Sequence, residues 1–111
     1  MIDRQPSLQR QEKPMKGYWL ILGSDVKDAV AQDQYAALWK PIASRFQAKV
    51  RVLDASVVLR EAHTTRRVVV VEFPSVALAR ACYDDAAYQD AIQFALVASH
   101  RELLIIEGDL A

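Results

Sequence analysis

The side chains whose types and spacing could do chemistry in this 111-residue chain are few. Glu72 and His63 are the acid/base candidates. Imidazole titrates near neutrality, which suits a general base or proton shuttle. His63 stands in Glu61-Ala62-His63-Thr64-Thr65 without a second histidine, a cysteine or a paired carboxylate at ligand spacing, so a solvated loop histidine is the plain alternative. Glu72 closes the run Arg67-Val68-Val69-Val70-Val71-Glu72-Phe73, and Glu107, near the end of the last expected strand, is read as its counterpart in an adjoining strand. A carboxylate facing a partly dry cleft has its pKa raised, as acid/base work requires. The plain alternative leaves both glutamates in water at strand ends, or paired with an arginine across an interface. Tyr18, Trp19, Tyr83, Tyr88 and Glu107 are candidates to line a ligand site, although aromatic residues at helical spacing more often belong to a core. Cys82 reads as a small buried hydrophobe with no local histidine to activate a thiolate.

Other chemistries find no motif. The three glycines, Gly17, Gly23 and Gly108, are dispersed and form no phosphate cradle. There is no nucleophile elbow, no Cys-x-x-Cys and no His-x-x-x-His. We expect no metal and no cofactor.

The elements that must position these residues follow from periodicity. Residues 66–73 form the central strand: four successive valines favour a pleated strand covered on both faces. Pro74 ends it by removing a ladder donor, and Ser75 caps the helix that follows. Arg67, Val69, Val71 and Phe73 share one face; Arg66, Val68, Val70 and Glu72 share the other. Phe73 assigns its face to the helices, so Glu72 looks into the open face. Residues 17–23 form an interior strand on which Tyr18 and Trp19 point to opposite faces, and alternation alone does not say which. Between these strands, Tyr35, Leu38, Trp39, Ile42 and Phe46 mark an amphipathic helix capped by Ser24, Asp25 or Asp28 and kinked at Pro41. Residues 49–60 read as a second strand, with a bulge or bend at Asp54-Ala55-Ser56. Two helical segments, 76–83 and 86–99, meet at Asp84-Asp85, with Leu78, Ala81 and Cys82 of the first towards the sheet. A last strand spans 102–107.

Lys16-Gly17-Tyr18-Trp19 before an apolar run, the stretch from Arg67 to Ser75, Ala81-Cys82-Tyr83, Tyr88-Gln89 and Ile106-Glu107-Gly108 together resemble domain-of-unknown-function family 1330, a group of small bacterial proteins. The resemblance runs from Lys16 to Asp109 and implies a ferredoxin-like βαββαβ unit that pairs as a dimeric α+β barrel. Members of the family usually show a glycine pair after the first helix, where this chain has Gln47-Ala48, and a Leu-Glu-Gly ending to the second strand, where it has Leu59-Arg60-Glu61. Many carry an arginine where this chain has Ala95, so any anion grip at that position would be lost here.

Composition bounds the rest. Fourteen basic and fourteen acidic residues cancel, leaving no global field to attract nucleic acid or an anionic membrane. No apolar run approaches membrane-spanning length, no signal-peptide core is present, and a single cysteine cannot staple the chain, which points to the cytoplasm. Hydrophobic residues make up 52% of the chain, more than a small monomer needs, and a subunit interface is their ordinary destination. The reading is therefore a flexible arm over residues 1–15 and one α+β domain over 16–111, a ferredoxin-like βαββαβ fold with a four-stranded antiparallel sheet. It forms a homodimer that binds a small organic metabolite in a cleft between sheet and helices. The competing readings are a cofactor-free enzyme, monooxygenase- or isomerase-like, on a small aromatic or keto-acid substrate, and a non-catalytic structural dimer.

Overall fold

A computed structural model describes residues 15–108; most of the arm expected over 1–15 lies outside the described residues. Four strands, β1 (Gly17–Gly23), β2 (Lys49–Val52), β3 (Arg67–Phe73) and β4 (Arg101–Glu107), form one antiparallel sheet in the order β2-β3-β1-β4. Three helices, α1 (Ala29–Arg45), α2 (Val76–Asp84) and α3 (Ala86–Ala98), complete the βαββαβ order of a ferredoxin-like α+β fold, the second helical region being divided in two. None of the described helices is long and apolar enough to cross a membrane.

Each helix starts where a short polar side chain can take a free amide. Asp28 accepts from the Ala31 amide at 3.0 Å, Ser75 from Leu78 at 3.2 Å, and Asp85 from Ala87 at 3.0 Å. Asp85 thus resolves the acidic break as a cap. α1 runs through Pro41 as a single helix. It ends in a Schellman turn: the Ala48 amide reaches back to the Ala43 carbonyl, the Gln47 amide to that of Ser44, and Gln47 adopts φ 55°. That left-handed position is the one where the resemblance expects glycine.

Trp19, Ile21, Val71 and Phe73 face the helices and pack with Ile42, Ala79, Cys82, Tyr88, Ala91, Ile92 and Ala95 in the core. Register then assigns the remaining faces. Gly17 pairs with Phe73 and Glu107, while Tyr18 pairs with Glu72 and Ile106. Tyr18, Leu20, Leu22, Val68, Val70, Glu72, Glu102, Leu104 and Ile106 therefore occupy the open face. The assignment of Phe73 to the helices and Glu72 away from them holds.

Three expectations are corrected. β2 stops at Val52, because the chain turns through a 3₁₀ segment (Asp54–Ser56) in which Asp54 accepts from the Val68 amide at 2.9 Å, so 57–66 is a loop. Glu107 is not the counterpart of Glu72: β4 does not adjoin β3, and the two-residue period puts the carboxylates on opposite faces. On α2 it is Ala79, not Ala81, that is buried beside Cys82.

Candidate functional site

Trp19 organises the space between sheet and helices. Its indole N–H donates to the Ala79 carbonyl at 2.9 Å, which fixes the ring and satisfies its one polar atom. Phe73, Trp39, Tyr83 and Tyr88 surround it with ring centroids 5.0–6.0 Å away. Tyr88 is fully buried and touches Trp19, Trp39, Tyr35 and Tyr83. Tyr88 thus belongs to the core, and Tyr83 is partly buried and packed against it.

Beside this cluster lies a cleft of about 290 Å³. Its floor is Trp19, Ile21, Val69 and Val71 of the sheet, and its roof is Gln32, Tyr35, Ala36 and Trp39 of α1. The cleft exists because α1 packs chiefly against α3 and leaves the β2 side of the sheet uncovered. Val50 and Val52, 44% and 64% exposed, form the mouth at that edge.

Two arginines enter this apolar space. Arg67 and Arg101 flank Gly23 in register, on the strands either side of it, and both face the helices. Arg67 donates from Nε to the Ser24 carbonyl at 2.8 Å and from Nη2 to Ser99 Oγ at 3.1 Å. Both serines are buried, which makes the orientation of Arg67 part of the folded framework. Gly23 leaves the room: a Cβ there would stand 2.7 Å from Arg67 Nη2. Arg101 donates from Nη2 to the Tyr88 hydroxyl at 3.1 Å and lies over the Tyr35 ring, 5.2 Å from its centroid. The hydroxyls of Tyr35 and Tyr88 share a hydrogen bond of 3.0 Å. Burial, reinforced by Tyr35, pushes the Tyr88 phenol well above its ordinary range, so it remains a neutral hydroxyl. Burial acts against the Arg101 guanidinium, but the phenol oxygens of Tyr35 and Tyr88 outweigh it, and its pKa lies above the usual arginine value.

Of the residues singled out in the sequence, only Trp19 lines the cleft. Tyr18 is buried on the opposite sheet face. Glu72 shares that face and forms an ion pair with Lys16 at 3.4 Å. It stands five residues along β3 from Arg67, about 17 Å at the rise of a strand. Glu107 is exposed at the same end of the sheet. His63 is exposed in the 57–66 loop, where it lines a wider, open groove with His100, Arg60, Glu61 and Glu102. His63 and Glu72 are not brought together. Cys82 is fully buried, and burial pushes its thiol up to about 12, as expected of a structural cysteine. Sequence reasoning missed Tyr35 and Trp39 as cleft walls and Arg67 and Arg101 as its cations. The signal for Arg67 was present in the alternation that gives it the same face as Phe73.

Residues 16–109 match the domain-of-unknown-function family DUF1330. The chain belongs to this family. Among solved structures it is similar to a protein of unknown function from Rhodopseudomonas palustris, with 19% identity over 99% of this chain and 98% of that one and a TM-score of 0.62. A protein of unknown function from Bacteroides fragilis, described as dimeric and ferredoxin-like, aligns with 11% identity over 83% and 95% of the two chains and a TM-score of 0.56. SnoaB from Streptomyces nogalater, described as a cofactor-independent oxygenase, aligns with 12% identity over 86% and 95% and a TM-score of 0.54. At these identities the likeness is one of fold. No curated protein matches the sequence.

Proposed function

We propose that this DUF1330 protein is a homodimer that binds a small organic metabolite in the cleft between its sheet and α1. The observation that carries the reading is the cleft itself: about 290 Å³, walled by Trp19, Tyr35, Trp39 and valines, and open at the β2 edge. Ligand sites have this character, a concave and mainly apolar space with a few convergent polar groups. A volume near the small end of the usual range suits a single ring or a fused pair of rings. Dimerisation through the open sheet face would cover Leu104 and the apolar residues beside it. The description of the Bacteroides fragilis neighbour as dimeric supports it.

Cofactor-free catalysis, the description attached to SnoaB, is the weaker reading for this chain. Glu72 and His63 both lie away from the cleft, and among its described lining residues the polar groups are Gln32, Tyr35 and the two arginines. Binding needs no more than these.

Both tryptophans of the chain, Trp19 and Trp39, line the cleft, so intrinsic fluorescence reports its occupancy. Titration with small aromatic compounds should change that emission saturably. Ala36 lines the roof and is exposed on α1, so Ala36→Phe should fill the space and abolish the response while leaving the circular dichroism unchanged. A response that survives Ala36→Phe would remove the cleft as the site.

A further inference from the structure

We infer that the ligand of this cleft is a carboxylate, an aromatic or otherwise apolar body whose anionic end is held between Arg67 and Arg101. The inference rests on reading the cleft as a ligand site and adds the chemical class of what it takes.

Its basis is an imbalance of charge. Charged side chains withdrawn from water are normally paired, because an isolated buried ion loses more hydration than neutral contacts return. Arg67 and Arg101 are both partly buried and line the same space, yet neither has a carboxylate partner among the described residues. The described ion pairs are Lys16 with Glu72 and Arg45 with Asp85, both elsewhere. What the two guanidiniums meet instead is neutral: the Ser24 carbonyl, the Ser99 hydroxyl, the Tyr88 hydroxyl and the Tyr35 ring. These contacts orient the groups without neutralising them. These hydrogen bonds take two of the five N–H donors of Arg67 and one of those of Arg101, so donors remain on both.

The geometry brings the two charges to one place. Neighbouring strands are about 4.8 Å apart, so the Cα atoms of Arg67 and Arg101, each paired with Gly23, are separated by about 10 Å across a residue with no side chain. Gly23 clears the floor between them, and the position of Arg67 Nη2 depends on that clearance. Two planar forks set on either side of a gap suit the two oxygens of a carboxylate. Trp19, Trp39, Val50 and Val69 lie beyond them to receive an apolar body. Tyr88 is a positioning residue here, through its hydrogen bond from Arg101; it does not line the cleft.

The test is an acid and amide pair of one shape, phenylacetate against phenylacetamide, titrated at neutral pH with the emission of Trp19 and Trp39 as the readout. The acid should bind at least about tenfold more tightly, the size expected of one charge-assisted hydrogen bond, and its advantage should shrink as ionic strength rises. Arg67→Gln and Arg101→Gln should each bring acid and amide level. Gly23→Ala, whose Cβ would displace the Arg67 guanidinium and meet no backbone atom, should narrow the gap with circular dichroism unchanged. Equal binding of acid and amide by the wild type would overturn the anion assignment and leave the cleft standing as a neutral site, or as one neutralised by a carboxylate of a second copy. Acid selectivity that persists in both arginine variants, with unchanged circular dichroism, would also overturn it. Binding of neither compound would bring down this inference and the reading beneath it together.

Discussion

At the scale of single residues, backbone conformation singles out Gln47, where the resemblance expects glycine. Gln47 closes the Schellman turn after α1 with φ 55°, a region where a side chain crowds the backbone and glycine does not. Gln47→Gly should therefore stabilise the protein in spite of the greater freedom it gives the unfolded chain, by about 0.5–1 kcal/mol in chemical denaturation, with no change in cleft binding. Gly17 presents the opposite case. A Cβ there would stand 2.5 Å from the Val76 Cα and 2.6 Å from the Ser75 carbonyl oxygen, both backbone atoms that cannot swing aside. Gly17→Ala has to push α2 off β1 and should destabilise by about 1–3 kcal/mol, the usual range for overpacking, read from the same denaturation curve.

At the scale of elements, Asp85 couples three helices. It ends α2, caps α3 through the Ala87 amide, and receives Arg45 at the end of α1 in a two-pronged contact of 2.8 and 3.3 Å. The hydrogen bonds from Arg45 hold its carboxyl below the usual range, although desolvation acts the other way. A carboxyl whose pKa is depressed by folding adds stability above its unfolded value of about 3.9 and loses it as pH falls through the folded value. Asp85→Asn keeps an oxygen for the cap and loses the ion pair. The melting temperature of the variant should lie below that of the wild type at neutral pH, and the difference should close in the acid range below about pH 4. A constant difference across that range would assign the role of Asp85 to the cap alone.

At the scale of the whole molecule, the two faces of the sheet have separate tasks. The helix face holds the aromatic core and the cleft. The open face carries Leu20, Leu22, Val68, Val70, Leu104 and Ile106, with Leu104 45% exposed in the single chain. A second copy seated on that face is what the dimer proposal requires. Leu104→Glu would bury a carboxylate in the contact, and light scattering should then give the mass of one chain where the wild type gives two. A wild-type mass of one chain would end the dimer proposal.

Much of this fold was legible in the amino-acid order, because local rules govern it. The valine run, Pro74 and Ser75 determined where β3 ends and α2 begins. Phe73 determined which face of β3 meets the helices, and the pattern of Asp84-Asp85 marked the division between α2 and α3. What only the tertiary structure decided is how distant segments meet. Alternation put Tyr18 and Trp19 on opposite faces, but their assignment needed the helices in place. Glu72 and Glu107 looked equivalent along the chain, and the strand order separated them by a strand and a face. The cleft was the least legible feature. It is a gap left where α1 packs on α3, and its cations come from strand ends separated by 34 positions in sequence, Arg67 and Arg101, brought to either side of Gly23 by pairing alone. Periodicity reads the face a residue takes within its own element; the partners it finds across the sheet depend on topology, which no local pattern contains.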